Sequence, residues 1–189
     1  MKIIFIFAWL ITSSLFSQER YAFVHFDESN NTKEWSSFLN ESDEVLLIGN
    51  LSDQSKWALL NVNNTELAGL RASFTSDLIY WNQRRGKACT LENSKKEDRF
   101  TFIKYNSHIT KFNVQDAPEL FRFHDQHIKG ISKVGQVLLE GFFDNDDGGF
   151  MLMRGTVDKE VIWTDPAVVN GIIGPEVYLA NVTIGKGCN

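Results

Sequence analysis

The chain of 189 residues has few cysteines, few cations for its size and, beyond its first residues, no long apolar run. Each shortage excludes something. The two cysteines, Cys89 and Cys188, form no Cys-x-x-Cys and stand near no histidine, so their spacing suggests no metal site. Lysine and arginine number 19 against 24 aspartates and glutamates, and apart from Arg84-Arg85 and Lys95-Lys96 the cations are scattered. A phosphate backbone calls for a cationic face, so nucleic acid is not an expected partner. No segment after Ser17 approaches the roughly 20 apolar residues needed to span a bilayer. Gly-x-Ser-x-Gly, His-Glu-x-x-His and a glycine-rich phosphate loop are all missing. A serine nucleophile, zinc-protease chemistry and a bound cofactor are therefore not expected.

What is present begins with a leader. Lys2 precedes an unbroken apolar run from Ile3 to Ile11, and Thr12 to Ser17 turns small and polar. That is the pattern of a signal peptide over 1–17, cleaved after Ser17, and it implies a periplasmic or extracellular protein. A buried first strand or a retained anchor is the competing reading. No cysteine follows the run, so a lipid-anchored start is not expected. After export, Cys89 and Cys188 would meet an oxidising compartment, where a disulfide between them would add about 2–4 kcal/mol. Two free thiols without a role are the alternative.

The remaining chain repeats itself. Arg20-Tyr-Ala-Phe-Val-His-Phe-Asp27 resembles Arg99-Phe-Thr-Phe-Ile-Lys-Tyr-Asn106, and Val45-Leu-Leu-Ile-Gly-Asn-Leu51 resembles Val137-Leu-Leu-Glu-Gly-Phe-Phe143. Lys56 to Val62 matches Gly149 to Gly155 in position, and Gly86-Lys-Ala-Cys89 matches Gly185-Lys-Gly-Cys188. Four likenesses in one order mark a duplication. The charged stretch 90–98 reads as a solvated linker between a first repeat, 18–89, and a second, 99–189.

In the second repeat, Phe100 to Tyr105 reads as a strand. Asp116-Ala-Pro-Glu119 starts a helix running to about Lys133, with Asp116 as cap and proline in the first turn. Leu120, His124, His127, Ile131 and Val134 follow the spacing of one helical face. Gln136 to Phe143 and Phe150 to Arg154 are strands around an acidic turn. Thr156 is expected to cap a short helix, Asp165-Pro166 to open another turn of helix, and Glu176 to Ile184 to form the last strand. The order is β-α-β-β-α-β, the ferredoxin-like arrangement. The first repeat shows strands around Phe23, Leu47, Leu59 and Trp81, with a shorter helix in Lys33 to Leu39.

Gln126-His127-Ile128, then Gly135-x-Val-Leu-Leu-x-Gly141 before an acidic turn, then Asp165-Pro-x-Val168 occur in the order and spacing of a known family. Over roughly Phe100 to Ile184 the chain resembles the YCII-related (YciI-like) family of the dimeric α+β barrel superfamily, with the first repeat a degenerate copy. The resemblance implies an α+β fold of ferredoxin-like units whose sheets pack together, and a histidine–aspartate site. Some relatives act on small ring-cleavage or chlorinated aromatic metabolites. Three features depart from the pattern: Phe142 replaces a common proline, His124 stands where arginine is common, and export is unusual. A ferredoxin-like unit leaves one sheet face bare, and two units in one chain can cover each other's. The expectation is a monomer with an internal pseudodimer.

His127 is the leading candidate for general acid or base, since an imidazole on an apolar helix face needs a partner. A core histidine satisfied by one backbone carbonyl is the plainer reading. Asp144 and Asp165 are its candidate partners, each with a competing role in a turn or a helix cap. His124, Asp147 and Phe142 are the flanking candidates for ligand contact. The loop from Asp144 is no EF-hand, because Gly155 stands where the closing glutamate belongs, and no metal is expected. His25 and His108 have bland readings, and Trp35, Trp57 and Trp81 read as packing residues. Two functions remain: a small-molecule enzyme of lyase, isomerase or hydrolase type, or an exported binding or accessory module that keeps the fold without catalysis.

Overall fold

Runs of leucine, valine and aromatic residues form the strands. They are β1 (Tyr21–Phe26), β2 (Val45–Leu51), β3 (Lys56–Asn61), β4 (Leu78–Gly86), β5 (Phe100–Ser107), β6 (Val137–Phe143), β7 (Gly148–Arg154) and β8 (Ile173–Ile184). Between them lie the helices α1 (Lys33–Glu41), α2 (Ala117–Ser132), α3 (Lys159–Trp163) and α4 (Pro166–Val169). The computed structural model describes residues 20–26, 33–62, 78–93, 99–108, 117–133, 137–144 and 148–188. The expected signal peptide, the end of the expected linker, Asp116, Val134 and Asp147 lie outside those residues.

Every strand pair is antiparallel, and the sheet closes into a barrel in the order β1-β3-β2-β8-β5-β7-β6-β4. The chain is an eight-stranded α+β barrel. Each half contributes four adjacent strands, β4-β1-β3-β2 and β8-β5-β7-β6, whose internal order is the same. The halves bond edge to edge at two seams, β2 to β8 and β4 to β6. Closure leaves no free edge among these strands.

The barrel interior is packed with rings. Phe23 and Phe150 lie 4.9 Å apart, Trp81 and Phe150 4.8 Å, and Trp57 and Phe102 5.1 Å between centroids. Glycine makes room for the two indoles. A Cβ at Gly49 would sit 2.0 Å from Trp57 Nε1, and one at Gly141 would sit 2.3 Å from Trp81 Cε2 and from the Asn82 carbonyl oxygen. Both glycines of the Val-Leu-Leu-x-Gly likeness lie beneath a tryptophan, Gly49 under Trp57 of its own half and Gly141 under Trp81 across the β4–β6 seam.

Helices cover the outer face. Trp35 and Leu39 of α1 pack with Val24, Val45 and Leu60, while Ile128 of α2 packs with Ile103, Tyr105, Met151 and Met153. With helices outside and rings inside, strands such as β7 are buried on both faces, which is why their hydrophobicity is nearly continuous. Several expected boundaries shift. Helix α1 runs two residues past Leu39 to Glu41, and β8 begins at Ile173 rather than Glu176. The cap of α3 is Asp158, whose carboxylate accepts the Glu160 N–H at 3.1 Å, rather than Thr156. Residues 90–93, expected within the linker, belong to a 3-10 helix, Ala88–Asn93, anchored by buried Ala88 and Leu91. Cys89 in that helix is disulfide-bonded to Cys188. Among the described residues no helix is long and apolar enough to cross a membrane.

Candidate functional site

Helix α2 buries Leu120, Phe121, His124, Ile128 and Ile131 wholly or in part, a stripe at three- and four-residue spacing. His124 is 2% exposed and its Nδ1 lies 2.5 Å from Oδ2 of Asp165, which is 1% exposed. Asp165 is also the N-cap of α4: its Oδ1 accepts the Ala167 N–H at 2.9 Å. Pro166 at the first helical position has a fixed φ suited to that turn. Each carboxylate oxygen therefore has one donor. The Nδ1–H donates to Asp165; in the neutral ring that tautomer makes Nε2 the acceptor.

The imidazole borders a cavity of about 600 Å3 between α2 and the β4–β6 seam. Its walls include Phe121 and Phe142, with Asn82 and Arg84 from β4 and Tyr105 from β5. The Tyr105 ring meets His124 edge to face at 5.4 Å and 79°, and Phe142 lies 6.2 Å from His124. Burial pushes the Tyr105 phenol far above its usual range, and the nearby carboxylates of Asp165 and Glu140 add to the shift. Tyr105 stays protonated.

An ion network braces this wall. Arg85 on β4 pairs with buried Glu140 on β6, its register partner across the seam, and reaches Asp125 of α2 at 2.5 Å. Lys129 holds the other Asp125 oxygen at 2.9 Å. The hydrogen bond from Lys129 and then that from Arg85 bring the Asp125 carboxyl down to about 2. Arg84 is further from Asp125, at 3.9 Å, is 53% exposed, and lies 5.5 Å over the Phe142 ring.

The structure divides the sequence candidates. Asp165 meets His124 and not His127. His127 is half-buried, and its Nε2 donates to the Val161 carbonyl at 2.8 Å, the plainer of its two readings. Expecting its imidazole between sheet and helix layer chose the wrong neighbour on the helix: Ile128 takes the core position, and His127 falls at the stripe's edge. Asp144 is exposed at the cavity rim, accepting from the Asn82 side chain. Phe142 forms wall, and His124 moves from flank to centre. His124 and His127 have different partners and do not converge, and among the described residues no three His, Cys, Asp or Glu side chains gather as a metal site would need. Sequence reasoning missed Tyr105, Arg84 and Asn82. Tyr105 shares the outward face of β5 with Ile103, and that period-two relation was the only available signal.

No family model and no curated protein matches the chain. Among solved structures, a putative monooxygenase from Lactobacillus acidophilus NCFM is similar with a TM-score of 0.45 and 8% identity, over 89% of this chain and 96% of that one. A likeness so remote carries neither family nor activity across.

Proposed function

We propose that this protein is an exported small-molecule enzyme of the α+β barrel type, in which His124, oriented by Asp165, is the general base and acid. One observation carries the reading: a buried histidine gives one nitrogen to a buried carboxylate and lines an open cavity of ligand size. The chemistry is proton transfer, of lyase, isomerase or hydrolase type, and the role expected of His127 falls to His124. Asp144 and Phe142 then shape the cavity's rim and wall.

The shared strand order of the halves supports two tandem ferredoxin-like units, the second resembling the YCII-related family. Their mutual pairing at both seams supports a monomer, with a sedimentation mass of one chain. The Cys89–Cys188 disulfide supports export, since such bonds persist in oxidising compartments.

The test is proton exchange and turnover. Small carbonyl and hydroxy acids are incubated with the protein in D2O and followed by NMR. His124→Asn abolishes exchange and turnover while circular dichroism stays unchanged; equal activity in that variant removes His124 from the mechanism. The second reading, a non-catalytic binding module, would be favoured by Phe142 or Phe143 filling the cavity. Both instead stand in its walls around open space.

A further inference from the structure

We propose that Tyr105 is a second reacting group of this cavity, donating a hydrogen bond to the ligand oxygen that gains negative charge as His124 takes a proton. The inference rests on the histidine reading and adds a residue and a ligand class to it. Tyr105 is 3% exposed, lines the cavity, and sets its ring against that of His124. Tyr105 brings a phenol hydroxyl and His124 an imidazole to the same cavity wall. Two polar groups on one cavity can be engaged together by a ligand that offers a proton to one and an oxygen to the other.

Their kinds say what that ligand is. The phenol is held protonated by burial and by neighbouring carboxylates, so it donates and is not the base. With Nε2 as acceptor, the pair suits a carbonyl compound with an acidic adjacent C–H. Nε2 takes that proton, the C–H electron pair becomes the new C=C bond, and the carbonyl π pair moves to oxygen. The resulting enolate oxygen accepts the Tyr105 hydrogen bond. Return of the proton to carbon regenerates His124, and no oxidant or reductant enters. Phe121 and Phe142 provide an apolar wall for the remainder of a small ligand.

The probe is 4-nitrophenol, whose phenolate oxygen stands in for the enolate oxygen and whose absorbance separates phenolate from phenol. Wild type, Tyr105→Phe and His124→Asn are titrated as full chains. Wild type binds the phenolate, and Tyr105→Phe weakens binding about tenfold to a hundredfold, as expected for losing a hydrogen bond to a charged group. Its thermal midpoint stays put. Equal affinity in Tyr105→Phe, or no phenolate binding by wild type, overturns the assignment. So does a lowered midpoint with affinity unchanged, the mark of a purely structural tyrosine. The histidine reading is judged separately: loss of deuterium exchange in His124→Asn beside an unaltered Tyr105→Phe titration removes the tyrosine alone.

Discussion

Asp165 does two jobs with two oxygens, and substitution can separate them. In Asp165→Ala both bonds go. The Ala167 N–H loses its cap, worth about 1 kcal/mol, and the Nδ1–H of His124 is left buried without a partner, at a cost of about 1–3 kcal/mol. The two sum to roughly 2–4 kcal/mol, a large share of the 5–15 kcal/mol typical of a folded domain. In Asp165→Asn the side-chain carbonyl can keep one of the two donors and the amide NH2 faces the other group. If the carbonyl keeps the cap, the NH2 meets Nδ1, which must then become the acceptor and push the ring proton to Nε2. The fold survives, and the cavity faces an N–H where it had a lone pair.

Urea denaturation gives the first quantity, and 15N chemical shifts of the His124 ring give the second. Asp165→Ala loses several kcal/mol; Asp165→Asn loses less, yet inverts the tautomer and abolishes proton exchange. A loss below about 1 kcal/mol in the alanine variant would show that the pair does not hold α4 against α2. An unchanged tautomer in the asparagine variant would show that Asp165 does not set which nitrogen faces the cavity.

Two further outcomes concern the ion network beside this pair and the disulfide at the other seam. The Asp125 carboxyl, held at about 2 by Lys129 and Arg85, titrates below its unfolded value near 3.9. Its contribution is therefore present above about pH 4 and lost as pH falls toward 2, at most roughly 3 kcal/mol before solvent screening of a side chain 28% exposed reduces it. Asp125→Asn flattens stability over that window in acid urea titrations, and an unchanged slope refutes the cause. Reducing the Cys89–Cys188 bridge, whose ends are 99 residues apart, costs about 2–4 kcal/mol. Equal urea midpoints with and without reductant would show that it carries no stability.

What could be read from residues alone divides along physical lines. Local rules placed α2 closely, because a capping motif, a proline in the first turn and a periodic apolar face all agreed. The strand likeness between the halves was legible because each strand glycine faces a tryptophan, Gly49 under Trp57 and Gly141 under Trp81. The site failed by one step. From His124, positions 127 and 128 both lie on the inward side of a helix, and spacing alone does not separate them. Packing does, by placing Ile128 against Ile103 and Met151 and leaving His127 to the Val161 carbonyl. Which carboxylate reaches a histidine depends on how α4 docks on α2, a contact between segments 41 residues apart that no local pattern encodes. Capping and pairing with His127 were the competing readings of Asp165: its Oδ1 caps α4, and its Oδ2 meets His124 instead.

The two halves share a strand order but not the character of their seams. A symmetric pair of units would build two equivalent seams. Here the seams have parted in character. At β2–β8 the register from Leu47↔Ile184 to Leu51↔Ala180 joins strands beside the disulfide, with the 3-10 helices Ala88–Asn93 and Lys186–Cys188 packed on β2. At β4–β6 the register sets Asn82 opposite Phe142 and Arg85 opposite Glu140, so the first half supplies one wall of the cavity and the cations that brace α2. A worn copy serving only to cover a bare sheet face would need apolar residues at this seam. Arg84, Arg85 and Asn82 are instead polar, and their partners are residues of the second half around His124. Residues of the first half thus line the same cavity as His124.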